Sequence, residues 1–79
     1  MTMITRRLTK KQQYINGLVF DRDHLQTDLA RMIEQKQFFT WWHGEVITRV
    51  KVKQYLDEIR EELERIDQDA TYEPWKEIN

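Results

Sequence analysis

No cysteine occurs in these 79 residues, so neither a disulfide nor a cysteine-based zinc site can staple the fold. Serine is absent as well. Nucleophilic catalysis through Ser or Cys is thereby excluded, and no threonine has a base beside it to take over. The two glycines, Gly17 and Gly44, are too far apart to form a phosphate-cradling loop. No apolar run approaches the ~20 residues that span a bilayer, and no secretory apolar segment opens the chain. These absences point to a non-enzymatic protein of the cytoplasm with no membrane contact and no cofactor.

The chain is 34% charged and 39% hydrophobic, a lean composition for one small domain. A core of this size is marginal alone, so a homo-oligomer is expected to supply the missing burial. The net charge of −1 hides a strong segregation. Residues 1–13 carry Arg6, Arg7, Lys10 and Lys11 with no acid, and residues 49–53 carry Arg49, Lys51 and Lys53 with none. From Asp57 onward nine acids face three bases. Asp57, Glu58, Glu61 and Glu62 resemble a helical carboxylate metal site in part. They lack its Glu-x-x-His partner and read as a solvated acidic face.

Helix signals dominate the pattern. Thr9-Lys10-Lys11-Gln12 has the form of a capping box, which opens a helix near Lys10. Asn16-Gly17 between Tyr14-Ile15 and Leu18-Val19-Phe20 competes as a type I′ hairpin, so residues 13–20 stay open between the two readings. Asp23 offers a second start, so the first helix either runs through into the second with a bend or breaks at Asp21, and Phe20, off the stripe, favours the bend. Leu25, Leu29, Met32, Ile33 and Phe39 then follow one stripe, with Gly44 placed as the left-handed residue that ends it. Thr48 caps a last helix, with Ile47 and Val52 in the hydrophobic-staple positions. A strand over Glu45–Val52 is the rival there. Val52, Leu56, Ile59, Leu63 and Ile66 repeat at alternating spacings of three and four, a coiled-coil-like seam.

The expected fold is therefore all-α. It is an antiparallel helical hairpin with a shorter N-terminal helix, turning tightly over residues 43–48 and completing its core by oligomerisation. Its parts are a basic arm (1–8), a helical domain (9–68) and a tail (69–79). Tyr72, Trp75 and Ile78 let the tail fold back onto the core. Leu56, Ile59, Leu63 and Ile66 form the expected oligomer seam.

One stretch exceeds what such a hairpin needs. QFFTWWHGEV, residues 37–46, holds four aromatics in five positions. Adjacent helical residues lie ~100° apart, so Phe39 and one of Phe38 or Trp42 can plug the bundle while the others cannot. His43 reads as a helix-end residue bonding the last carbonyls. His24 and Asp28, one turn apart, read as a solvent-facing pair in preference to a weak metal site. Arg49, Lys51 and Lys53 sit where a helix dipole favours anions, next to spare aromatics. The candidate partner-binding set is Phe38, Trp41, Trp42, His43, Arg49, Lys51 and Lys53. The expected function is protein–protein interaction as a small regulator, inhibitor or assembly factor. The alternative is nucleic-acid or nucleotide binding, with Arg6, Arg7, Lys10 and Lys11 joining the Arg49–Lys53 group on phosphates. Overall acidity argues against that alternative.

Overall fold

A computed structural model describes residues 8–77. Arg6 and Arg7 of the basic arm and Ile78 of the tail lie outside them. The chain runs as helix α1 (Lys10–Glu34), strand β1 (Phe39–Trp42), strand β2 (Glu45–Thr48), helix α2 (Arg49–Gln68) and a 3₁₀ turn (Pro74–Glu77). It is mostly helical. The purely α expectation is corrected by the β-hairpin, which takes the place of a tight helix–helix turn.

The separate short N-terminal helix does not exist either, because α1 is one continuous helix of 25 residues. Both halves of the capping box form: the Gln12 amide donates to Thr9 Oγ1 at 3.1 Å, and the Thr9 amide donates to Gln12 Oε1 at 3.0 Å. Past Gly17 the helix is carried by one stripe. Tyr14, Leu18, Asp21, Leu25, Asp28 and Met32 recur every three or four residues, and all six are buried or half-buried. A break at Asn16-Gly17 would split that stripe, so tertiary packing outweighs the local turn signal.

The end of α1 is a Schellman motif. The Lys36 amide donates to the Ile33 carbonyl at 3.3 Å and the Gln37 amide to the Met32 carbonyl at 2.7 Å. Lys36 holds the left-handed position at φ 55°, where glycine is usual. Residues 38–44, expected to continue this helix, instead enter the hairpin. Its register pairs Phe39 with Thr48, Thr40 with Ile47, Trp41 with Val46 and Trp42 with Glu45. The two linking residues both have positive φ, His43 at 49° and Gly44 at 78°. That is the signature of a type I′ turn, whose twist matches the strands it joins. Gly44 is left-handed as expected, but it serves this turn and not a helix end. His43 is likewise a turn residue and not a helix-end one.

Thr48 closes β2 and caps α2, accepting from the Lys51 amide at 3.2 Å. Ile47 and Val52 are both buried, as staple positions require. The strand and cap readings of this segment are both partly right, and they divide at Thr48. The two helices pack antiparallel. Lys11 and Ile15 near the start of α1 share a groove with Leu63 and Ile66 near the end of α2. Leu25, Met32, Ile47, Val52 and Leu56 form the core, with Leu29, Trp42, Tyr55 and Ile59 packed against it. Leu56 and Ile66 of the α2 seam are thus buried within one chain, with Ile59 and Leu63 half-buried. Lys11 of the basic segment and Asp67 of the acidic one line the same groove.

The tail is fixed by one carboxylate. Glu62 accepts from the Tyr14 hydroxyl at 2.5 Å and from the Tyr72 hydroxyl at 2.6 Å. Trp75 packs on Tyr14, with ring centroids 6.2 Å apart. Burial, and then the bond to Glu62, push the Tyr14 hydroxyl from 10.0 up to about 12. The bond to Glu62 raises Tyr72 as well. A folded pKa above the unfolded one contributes stability that is fully present below the unfolded value and is lost as pH rises through the folded one. Stability is therefore expected to fall between pH 10 and about 12. Tyr14→Phe should flatten that fall, as read from urea midpoints across the window. An equal slope in both proteins would show that the Tyr14–Glu62 bond does not form in solution.

Candidate functional site

Alternation along the hairpin sorts its residues onto two faces. Thr40, Trp42 and Ile47 turn toward the helices. Thr40 and Ile47 are buried, and Trp42 is half-buried against the core. Phe39, Trp41 and Val46 occupy the other face and are 60%, 68% and 54% exposed. Phe38, just before β1, and Val50, in the first turn of α2, are exposed too. Phe39, expected as a bundle plug, is therefore a surface residue. Period-two alternation on either side of a two-residue His-Gly turn is the signal that marks Phe39 and Val46 as members of this face.

The hairpin and the start of α2 are fastened to α1 and the turn after it by three devices. Trp42 is the first, with its ring 5.4 Å from His24 and 4.3 Å from His43. The second is a polar relay. Asp28 lies 3.5 Å from the His24 imidazole and 3.4 Å from the Arg31 guanidinium, which donates to Thr40 Oγ1 at 3.1 Å. His24 is exposed, as expected of a solvent-facing pair, but Asp28 is buried. Asp28 sits on the packed stripe and links α1 to the hairpin through Arg31. Among the described residues no three His, Cys, Asp or Glu side chains converge to hold a metal.

Arg49 is the third device. Its guanidinium donates to the Met32 carbonyl at 2.7 Å and to the Gln37 carbonyl at 2.6 Å, and lies 4.6 Å from the Phe38 ring centroid. A cation at the start of α2 opposes the dipole of its own helix. Here the charge lies against the Met32 carbonyl in the last turn of α1 and the Gln37 carbonyl just past it, at a helix C-terminus, where a cation is favourable. Arg49 is consequently spoken for, and the anion site imagined at the start of α2 loses its best donor. Lys51 lies 5.1 Å from the Tyr55 ring centroid, and Lys53 is exposed.

The expected site residues therefore divide. Phe38, Trp41, Lys51 and Lys53 remain at the surface near the hairpin, while Trp42 and Arg49 hold the fold together. His43 is exposed in the turn, against Trp42. Lys10 and Lys11 begin α1, whose C-terminal end carries the hairpin, and 25 helical residues span about 37 Å. Lys11 Nζ lies 5.6 Å from the Trp75 ring centroid. The two basic groups thus stand at opposite ends of the molecule, and a ligand would have to run its full length to touch both. No helix among the described residues is long and apolar enough to cross a membrane. No family model matches the chain, and no curated protein or solved structure matches it.

Proposed function

We propose that the chain is a small non-enzymatic protein-interaction module, a regulator, inhibitor or assembly factor of the cytoplasm, which engages its partner through the outward face of the β-hairpin. The observation that carries this reading is the grouping of Phe39, Trp41 and Val46 on one sheet face, each more than half exposed. Aromatic side chains of this size lie in water at a cost, and contiguous apolar patches of a few hundred Å² on small proteins mark interaction sites. Trp also supplies much of the energy where interfaces have a packed centre. Lys51 and Lys53, exposed in the first turns of α2, follow the hairpin directly in the chain.

The wider balance of burial supports the same reading. Among the described residues eight large hydrophobics are exposed and six are buried. So lean a core leaves apolar surface for a partner to cover.

The test replaces Phe39 and Trp41 together by Ala and compares partner capture from the native host with the wild type. Hot-spot truncations cost ~2–4 kcal/mol each, so capture should fall by at least about tenfold while helicity is kept. Phe20→Ala, an exposed aromatic on α1, should leave capture unchanged. Retention of every partner by the double variant would refute the reading.

A further inference from the structure

We propose that the tail, residues 69–77, is a releasable strap, which opens from the helix pair as a unit while the core stays folded and which is latched by the Glu62 carboxylate. The strap lies at the opposite end of the helix pair from the hairpin and does not depend on the reading of the hairpin face.

The strap is built as a unit of its own. Asp69 ends α2 in extended backbone, at φ −120° and ψ 99°. Its carboxylate accepts from the Thr71 amide at 2.9 Å and from the Thr71 hydroxyl at 2.6 Å. The Tyr72 amide donates to the Asp69 carbonyl and the Lys76 amide to the Glu73 carbonyl, both at 3.1 Å. Lys76 and Glu73 also form an ion pair. Among the described residues no backbone hydrogen bond joins residues 70–77 to either helix, and none of residues 70–77 is buried. A segment with few buried contacts opens at a lower free energy than a core does. The core cluster of Leu25, Met32, Ile47, Val52 and Leu56 contains no strap residue, so opening leaves it intact.

Side chains alone close the strap. The Tyr72 hydroxyl donates to Glu62 at 2.6 Å, and a hydrogen bond to a carboxylate is stronger than one between neutral groups. The Arg65 guanidinium lies 4.1 Å from the Tyr72 ring centroid. Trp75 packs on Tyr14, with Lys11 Nζ 5.6 Å from its own ring centroid. Glu62 holds a second donor, the Tyr14 hydroxyl of α1. That second bond matters for release. When Tyr72 leaves, the half-buried carboxylate keeps Tyr14 and gains water, so it is never stranded without a donor. Opening also uncovers the Tyr14 ring and frees Trp75, which creates an aromatic surface at this end in the open state only.

A urea titration of the full chain followed by NMR tests this. The indole N–H of Trp75 reports the strap, and the amides of Leu25 and Leu56 report the core. A synthetic peptide of residues 69–77 supplies the indole shift of the free strap. In the wild type the Trp75 signal should reach that free value at lower urea than the core unfolds. Tyr72→Phe keeps the ring beside Arg65 and deletes the donor to Glu62. It should lower the closed-to-open ratio of the strap at least about tenfold and leave the core midpoint unchanged. Loss of the strap and the core at one midpoint overturns the inference, as does a wild-type Trp75 signal already at the free value without urea. A Tyr72→Phe strap as closed as the wild type overturns it too, because Glu62 is then not the latch. Loss of helicity in Tyr72→Phe does the same, because the core would then depend on the strap.

Discussion

Leu25→Ala is expected to leave the chain close to unfolded at physiological temperature. Leu25 is fully buried at the centre of the core, in one cluster with Met32, Ile47, Val52 and Leu56. Truncating a buried Leu costs ~2–5 kcal/mol, because the lost transfer energy is joined by the cavity left behind. The stability available is small, since domains hold only about 0.05–0.15 kcal/mol per residue. In a chain of this length each kcal/mol moves the melting temperature by about 4–8 °C. Melts followed by circular dichroism should therefore show a fall of at least about 8 °C. Ile33→Ala, on the exposed side of the same helix, should change stability by no more than about 0.5 kcal/mol. A fall of under about 5 °C for Leu25→Ala would mean that this cluster is not the core.

The next largest effect is expected at Arg49. Arg49→Met keeps an apolar stem beside Phe38 and removes both donors to the Met32 and Gln37 carbonyls. Net contributions of hydrogen bonds to a charged group are ~1.5–3 kcal/mol. Partial solvent access here lowers the expectation to about 2 kcal/mol for the pair. Arg49→Lys should recover less than half of it, because an ammonium cannot present the planar fork that reaches two carbonyls at once. Urea unfolding measures both. Equal stability of the Lys variant and the wild type would show that charge alone matters. No loss in either variant would show that the hairpin is held by Trp42 and the Arg31–Thr40 bond without it.

Which parts of this fold could be read from the residues follows from how far each signal reaches. The starts of both long helices were legible, because a capping box at Thr9 and Gln12 and a cap with staple at Ile47, Thr48 and Val52 are complete within a few residues. The buried stripe of α2 was legible because five apolar residues repeat in phase. Its role was not, since an apolar seam looks the same whether it meets α1 or another chain. The β-hairpin was missed for a physical reason. Its strands have four residues each, and Trp42 next to Trp41 blurs the alternation. Its turn uses His43 where Asn or Asp is usual. The stronger Asn-Gly signal lay at residues 16–17, inside a helix whose packing overrides it. The role of Arg49 in fastening the fold is hidden in the sequence, because its acceptors are backbone carbonyls, which no side-chain pattern reveals. Phe38, Trp41, Lys51 and Lys53 could be grouped near the connection between the long helices from their order in the chain. Phe39 and Val46 needed the strand register.

The antiparallel path has an engineering consequence. Lys11 and Trp75 lie together, so the described chain leaves from the same end at which it enters. The hairpin stands at the other end of the helix pair. Short closing distances of this kind let a domain be spliced into an exposed loop of a host protein, or be circularly permuted. Joining the ends near Leu8 and Glu77 and reopening the chain at His43-Gly44 would leave both helices intact and turn one hairpin into two free strands. Such a permutant separates the contribution of the I′ turn from that of the packed helices in a single molecule.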